Sequence, residues 1–532
     1  MKKLKYSLIY MLGFVTFFTS CTDDLNVTPE DDDIFLSENF FSSNESYKQG
    51  LAGIYGNLSL TGLNGAESSN IQGIDAGTSQ YGRCLWYMQD LAADQAIWSY
   101  ENDPGVGEIQ RNTWNANNSI LRGMFGRAMF QVALVNEYLR QTTPEKLSSR
   151  GVTDAQLLSD IALYRNEVRV LRALAYYHLM DLFGKAAFVT ENDPINTAGP
   201  EYDRAELFSY IESELTEVIP ALKDPRTNEY GRLDKGMAWM ILAKMYLNAE
   251  VYINQPKYSE CVTMCNNIMS GGYALESDYL DNFKADNHTS TEMIFSIQSD
   301  GIATQNYGPT TVMINGQVGS IEQNGTSLGV GASGWGGAIR LRKQFVQKFD
   351  GFQFNNDERK TILSAGRPIE ITSISTQKQG YVLAKYSNIS STGIPGSNQT
   401  FVDTDFPLFR LADVYLMYTE CALRGASNAT TTQGLIYVNQ LRERANNGTS
   451  GNILATDLTL DFILDERARE LHWESHRRQD LIRFNKFTGG SYNWTWKGNS
   501  QSGIALPTHF NVYPIPAASL ASNPNLTQNP NY

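Results

Sequence analysis

The chain has 532 residues, 42% of them hydrophobic and 19% charged, enough apolar content for a large buried core. Its net charge of −14 argues against a nucleic-acid partner, because affinity for a phosphate backbone comes mainly from Lys and Arg displacing counterions. Aromatic residues make up 11%, and several of them fall in Gly/Asn-rich stretches rather than periodic ones.

Lys2, Lys3 and Lys5 precede an apolar run from Leu8 to Phe18, too short to span a bilayer, so residues 1–20 read as an export signal. Phe18-Thr19-Ser20-Cys21 resembles a lipobox, which makes Cys21 the expected lipidation site and the chain a membrane-anchored one. Residues 21–33, with Asp23, Asp24 and Asp31 to Asp33, read as a solvated acidic tether.

A helix is expected between Ile34 and Leu60, followed by a long Gly/Ser/Asn-rich loop region from Thr61 to Asn118 that carries Arg83, Trp86, Tyr87, Trp98, Tyr100 and Trp114. Amphipathic helices are then predicted over Leu121–Arg140, Asn166–Gly184, Glu201–Leu222, Lys235–Val251 and Tyr258–Met269. In the second of these, Val168, Leu171, Ala175, Leu179 and Leu182 form an apolar stripe, while Arg169, Arg172 and Tyr176 line another face. Such a helix suits the middle of a stack, and Gly184 sits where its C-terminus favours positive φ.

Between Gly271 and Phe406 the texture changes to a strand, Met293–Ile297, and a second loop region, Gly301–Gly337, with Tyr307 and Trp335 embedded. Helices return over Leu408–Leu423, Thr432–Ala445 and Leu460–Trp473, and a Pro/Asn-rich tail from Tyr513 to Tyr532 reads as an extended strap. Cys84, Cys261, Cys265 and Cys421 are not spaced as a disulfide framework.

Trp98, Tyr100, Tyr307 and Trp335 are the most informative set. A sugar ring stacks its C–H groups on an aromatic face and directs its hydroxyls to planar polar groups, and Asp75, Arg83 and Asp103 lie in the first loop region. Spacing alone leaves two readings open, exposed platforms or anchors packed beneath the loops. His472 and His476 in HWESH lie four apart, yet no third ligand is evident and H-E-x-x-H is not met, so packing is the expected role. No carboxylate pair sits in a glycosidase signature, and neither G-x-S-x-G nor a phosphate-binding Gly loop occurs.

Several segments in order, Cys21, Arg169-Val-Leu-Arg172-Ala, Asp181-Leu-Phe183-Gly184, Gly231-Arg232-Leu-Asp-Lys235, Leu408-Phe-Arg410-Leu-Ala-Asp413-Val-Tyr415, Asp465-Glu466-Arg467-Ala-Arg469-Glu470-Leu, Asp480-Leu-Ile-Arg483-Phe484 and Tyr513-Pro514-Ile-Pro516, resemble the SusD/RagB family of glycan-binding outer-membrane lipoproteins. The resemblance implies a mainly α fold, a tetratricopeptide-like helical-repeat scaffold with a large loop-rich insertion carrying short strands. Residues 34–532 are then one domain, its scaffold at about 34–60, 119–270 and 407–485 and its ligand loops at about 61–118 and 300–340.

Asp75 to Arg83, Asn306-Tyr307-Gly308 and Gly334-Trp335 resemble the loops of the family's founding starch binder. That likeness implies an aromatic arc of Tyr100, Tyr307 and Trp335 with polar contacts at Asp75, Arg83 and Asp103. Tyr100 stands where the starch binder has Trp and Asp103 where it has Asn, while Trp98 matches a neighbouring Trp. The implied function is capture of starch or malto-oligosaccharide, without catalysis, and delivery to a SusC-like TonB-dependent transporter in the outer membrane. A β-glucan such as laminarin, or a fructan, is the alternative ligand. No cofactor is implied, and a structural calcium has no assignable ligand set.

Overall fold

The computed structural model describes residues 40–318, 325–364 and 366–532. The export signal, Cys21 and the acidic tether lie outside those residues. The chain divides into two compact units, 1–47 and 48–532. In the first, the Phe41 ring meets Phe40 at 4.9 Å and Tyr47 at 5.3 Å.

The helices of the scaffold are α1 (Asn44–Ser59), α2 (Tyr81–Trp86), α3 (Ser119–Gln141), α4 (Ala155–Phe183), α5 (Arg204–Val218), α6 (Lys235–Leu247), α7 (Tyr258–Met269), α8 (Pro309–Gln317), α9 (Leu411–Leu423), α10 (Thr431–Asn446), α11 (Leu460–Glu470) and α12 (Arg477–Arg483). Short antiparallel strands pair in twos: β1 (Ala96–Trp98) with β5 (Ile339–Leu341), β2 (Lys185–Ala187) with β3 (Glu201–Asp203), β4 (Met293–Ile297) with β8 (Phe406–Arg410), and β6 (Ile362–Leu363) with β7 (Val382–Leu383). The fold is mainly α and tetratricopeptide-like, as expected. α3 packs on α4, α4 on α5, α6 on α7, α7 on α9 and α9 on α10.

α4 is the centre of the first half. The Asp154 carboxylate accepts from the Leu157 N–H at 2.7 Å and so caps its start, and Gly184, at φ 73°, closes its end. The five stripe residues from Val168 to Leu182 are fully buried. The second face is filled by ion pairs: Arg169 and Arg172 both grip Glu214 of α5, at 2.8 Å each, and the Tyr176 hydroxyl donates to the Val189 carbonyl at 2.9 Å. Charged groups this far from water persist because each meets opposite charge at hydrogen-bonding distance.

The second half is held in the same way. Arg410, at the end of β8, reaches Glu292 at 2.6 Å, Glu470 at 2.7 Å and Glu474 at 2.6 Å, and Arg444 and Arg359 share Glu470. The β4–β8 pairing, Ile297 opposite Phe406, ties the 271–406 insertion to the helical scaffold.

Four expectations change. The first loop region contains α2, a π-helical turn at Tyr87–Leu91 and β1, and every residue from Tyr81 to Ser99 is buried. At six residues α2 is too short to show a helical period, which is why composition alone reads it as loop. The second loop region contains α8, opened by Pro309 at its first position, where a missing N–H costs nothing. The helix expected to reach Trp473 stops at Glu470, and the chain turns through Trp473 (φ 61°) and Ser475 (φ 64°), so His472 and His476 do not share a helix face. The C-terminal strap includes a short helix, Ala517–Ser522.

Both histidines are packed, and burial holds their imidazoles well below the usual range. His472 Nδ1 lies 2.9 Å from the Arg469 carbonyl, and His476 Nδ1 lies 3.0 Å from Lys244 Nζ. Among the described residues no cluster of three or more His, Cys, Asp or Glu is placed to hold a metal, and Cys84, Cys261, Cys265 and Cys421 are unpaired and buried. No described helix is long and apolar enough to cross a membrane.

Candidate glycan-binding site

The two loop regions are joined by one short sheet. β1 and β5 pair with Ala96 opposite Leu341 and Trp98 opposite Ile339, and the Ser99 N–H extends the ladder to the Ala338 carbonyl at 2.8 Å. The buried Gln110 amide completes the other edge, accepting from the Trp98 N–H at 2.8 Å and donating to the Trp98 carbonyl at 3.1 Å. Trp98 is thereby fixed in backbone and ring, its indole N–H donating to Asp103 at 2.8 Å.

Trp335 is positioned from the opposite side by the end of α8. Its N–H donates to the Asn315 carbonyl at 2.9 Å, and that of Gly337 to the Val318 carbonyl at 2.5 Å, so the loop satisfies acceptors that the helix end leaves open. Gly334 and Gly336 flank the ring at φ 44° and 67°. A Cβ on Gly334 would fall 2.5 Å from the Val318 Cβ, so only glycine allows the approach.

Around these anchors one cavity of about 280 Å³ is lined by Glu67, Asp75, Gly77, Arg83, Trp98, Tyr100, Asp103, Tyr307 and Trp335. All seven residues picked from the sequence are therefore brought together, although Asp75 and Trp335 are 260 positions apart in the chain. Trp98 stands edge-on to Tyr100 (6.0 Å, 73°) and to Trp335 (6.2 Å, 78°), and Tyr307 tilts 42° to Trp335 at 6.5 Å. The rings thus form a bent platform rather than a flat one.

The rings do not share one role. Tyr100 is 40% exposed and Tyr307 and Trp335 are half-buried, whereas Trp98 is only 2% exposed. Trp98 is the prop against which Tyr100 and Trp335 lean, and its expected place as a stacking surface gives way to that of an anchor. Both readings left open by the spacing are realised, in different residues.

The polar groups are arranged with equal economy. Each of three carboxylates commits one oxygen to the protein: Asp75 Oδ2 accepts from the Thr78 N–H at 2.9 Å, Asp103 Oδ2 from Trp98, and Glu67 Oε1 from the Tyr307 hydroxyl at 2.7 Å. The second oxygen of each has no partner among the described residues and remains available. The hydrogen bond to Glu67 is the main cause that pushes the Tyr307 phenol up to about 12, with burial next. Arg83 donates its Nε–H to the Tyr87 hydroxyl at 2.8 Å, which points the rest of the guanidinium at the cavity. Such an array, rings on one side and planar donors and acceptors on the other, can hold a polyhydroxylated ring without doing chemistry on it.

Glu67 and Gly77 were not picked from the sequence. Glu67 sits in an aperiodic Ser/Asn/Gly stretch, 240 residues from the Tyr307 it restrains, and nothing local signals it. Gly77 lies inside the Asp75–Arg83 segment, and a Cβ there would stand 3.0 Å from both Arg83 and Tyr307, so a glycine between two candidate residues was the available signal.

The SusD family model matches residues 339–532. Across nearly the whole length, the chain is 31% identical to the starch-binding protein SusD of Bacteroides thetaiotaomicron, covering 97% of this chain and 96% of that one. The chain belongs to the SusD family. Solved structures agree with its architecture. Surface glycan-binding protein A from Bacteroides fluxus superposes with a TM-score of 0.70 at 17% identity, over 92% of this chain and all of that one. Surface glycan-binding protein A from Bacteroides thetaiotaomicron, solved with laminarihexaose, gives 0.67 at 22% identity, over 91% and 99%. At these identities the likeness speaks for the fold alone.

Proposed function

We propose that this SusD-family chain binds starch or malto-oligosaccharide in the cavity at Trp335 and hands it to a SusC-like TonB-dependent transporter. The observation that carries the reading is the bent platform of Tyr100, Trp335 and Tyr307, with Arg83, Asp75, Asp103 and Glu67 beside it. A chain of sugars that turns between successive units keeps each C–H face against one of the tilted rings, whereas a flat ribbon would meet only one of them. The relative named for starch binding supports the same choice. Capture without catalysis is the activity proposed, and purified protein is expected to release no reducing sugar from oligosaccharide.

The lipid on Cys21 is proposed to tether the molecule to the outer membrane through the acidic segment, facing outward. Binding to a panel of amylopectin, laminarin and a fructan tests the choice of ligand. The expected result is retention on amylopectin, and retention on laminarin or the fructan with none on amylopectin would overturn it.

A further inference from the structure

A second cleft of about 280 Å³, as large as the cavity at Trp335, opens beside the Gly231-Arg232-Leu-Asp-Lys235 segment. Its wall is the Tyr230 ring. Tyr230 is 60% exposed, yet its hydroxyl points inward and donates to Asp405, a carboxyl only 1% exposed, at 2.5 Å. Asp405 is fixed in turn by the Ser299 N–H at 2.8 Å and, through its own N–H, by Asn287. The ring is therefore tied at its tip and bare on its flank, with the exposed His288 imidazole 5.3 Å away at 56°.

The same construction serves the first cavity, where the Tyr100 hydroxyl is tied to the Trp335 carbonyl and that of Tyr307 to Glu67. Among the described residues the strongly exposed aromatic rings are Tyr100, Tyr230 and Phe352, and the first two each line a cavity. A ring already immobilised gives up little rotamer entropy when a ligand lies on it, which is what a stacking platform requires.

The polar side of the cleft also suits hydroxyl groups. Gly231, at φ 77°, has no Cβ, and one placed there would fall 1.5 Å from the Gln298 amide nitrogen, so the glycine lets that amide stand beside the ring. Arg232 is consumed by Glu167 and Glu229, and the Asp234 carboxylate by the N–H groups of Arg226 and Gly236. What remains to meet a ligand is the exposed Arg226 guanidinium, which spends one N–H on the Thr291 carbonyl at 2.8 Å, and the Gln298 amide, which also touches the Tyr230 hydroxyl, together donors and acceptors for neutral polyols. The two cavities share a frame: the Arg83 N–H donates to Gln80 at 2.7 Å, the Gln80 amide to the Ser59 carbonyl at 3.3 Å, and the Ser59 hydroxyl to the Gln298 carbonyl at 2.8 Å.

We propose that the Tyr230 cleft is a second carbohydrate contact, which takes a short stretch of the same polysaccharide by stacking on Tyr230 and bonding to Arg226 and Gln298. The proposal rests on the glycan-binding reading of the Trp335 cavity. Its effect is avidity: a polymer held at one cavity presents further units to the other at high effective concentration.

The test is affinity electrophoresis of the full soluble chain in gels containing amylopectin, laminarin or a fructan, with calorimetry of a maltoheptaose-sized oligosaccharide of the retarding polymer. Tyr230→Ala is expected to weaken retardation on the order of tenfold, while its oligosaccharide affinity at the Trp335 cavity stays within about twofold of wild type. Trp335→Ala is expected to keep residual retardation that Trp335→Ala/Tyr230→Ala loses. Tyr230→Phe, which keeps the ring and loses its tie to Asp405, should fall between wild type and Tyr230→Ala. Tyr230→Ala migrating like wild type overturns the second contact alone, as does Tyr230→Phe failing to the same degree as Tyr230→Ala. Wild type retarded by none of the polymers overturns the glycan-binding reading and this proposal with it.

Discussion

The Tyr100 phenol donates to the backbone carbonyl of Trp335 at 2.7 Å, joining two loops that are 235 residues apart in sequence. The bond ties the most exposed ring of the platform to the loop that carries the central one. Tyr100→Phe keeps the ring and removes the tie. A neutral hydrogen bond is worth about 0.5–1.5 kcal/mol, so oligosaccharide affinity should fall roughly twofold to tenfold, with Tyr100→Ala weaker still. Calorimetry of the two variants checks this, and equal loss in both would show that the ring itself contributes nothing.

Glu67 holds Tyr307 as Trp335 holds Tyr100. Glu67→Gln retains an acceptor for the Tyr307 hydroxyl, whereas Glu67→Ala leaves it without one. Binding of neutral oligosaccharide should survive the first change nearly intact and drop several-fold in the second, by about 1 kcal/mol or more. The ordering of the two variants in a titration is the readout.

Gly334 is a backbone requirement. A Cβ at φ 44°, pressed within 2.5 Å of Val318 and 2.7 Å of the Asn315 carbonyl, forces the Trp335 loop off the end of α8. Strain of about 1–3 kcal/mol should stay local. Gly334→Ala is expected to lose most oligosaccharide binding while the thermal midpoint moves by only a few degrees. A midpoint that collapses together with binding would show the loop to be part of the folding core instead.

The buried charges around Arg410 carry a larger penalty. Arg410→Met leaves the buried Glu292, Glu470 and Glu474 short of a partner. The expected cost is about 3–5 kcal/mol, read as a shift in the denaturant midpoint. Glu466 and Asp480 set the acid limit. Burial alone would raise both, but Arg359, Arg469 and Arg442 around Glu466, and Arg467 and Arg483 around Asp480, hold each down to about 2. The unfolded chain takes up these protons near 4.5 and 3.8, so their contribution is complete above about pH 4.5 and is lost as pH falls toward 2. Thermal midpoints measured from pH 6 to pH 2 should decline through that window, and a flat profile would contradict the assignment.

How much was legible depended on where a segment was long enough to show two chemically distinct faces. α4 announced itself from Asn166 onward because Val168 to Leu182 repeat at helical spacing and Gly184 marks its end, while its first turns, from Ala155 after the Asp154 cap, were not read. α2 and α8 did not, because six and nine residues are too few to set a helical period and the surrounding Gly- and Asn-rich composition reads as loop. The residues that line the Trp335 cavity were recoverable as a set, through loop aromatics and a family likeness, but their differing burial was not. That Trp98 is buried while Tyr100 is exposed is decided by β1 pairing with β5, a contact between segments some 240 positions apart, such as Ile97 and Arg340, that no local pattern encodes. Glu67 was missed for the same reason.

Calorimetric titration of wild type, Trp335→Ala and Tyr307→Ala with a malto-oligosaccharide tests the central claim most directly. Each truncation removes a central ring from the bent platform and is expected to cost more than about 2 kcal/mol, which is a loss of roughly thirtyfold or more in affinity. Binding that remains unchanged in both variants would contradict the account, because the cavity would then not be where the sugar lies.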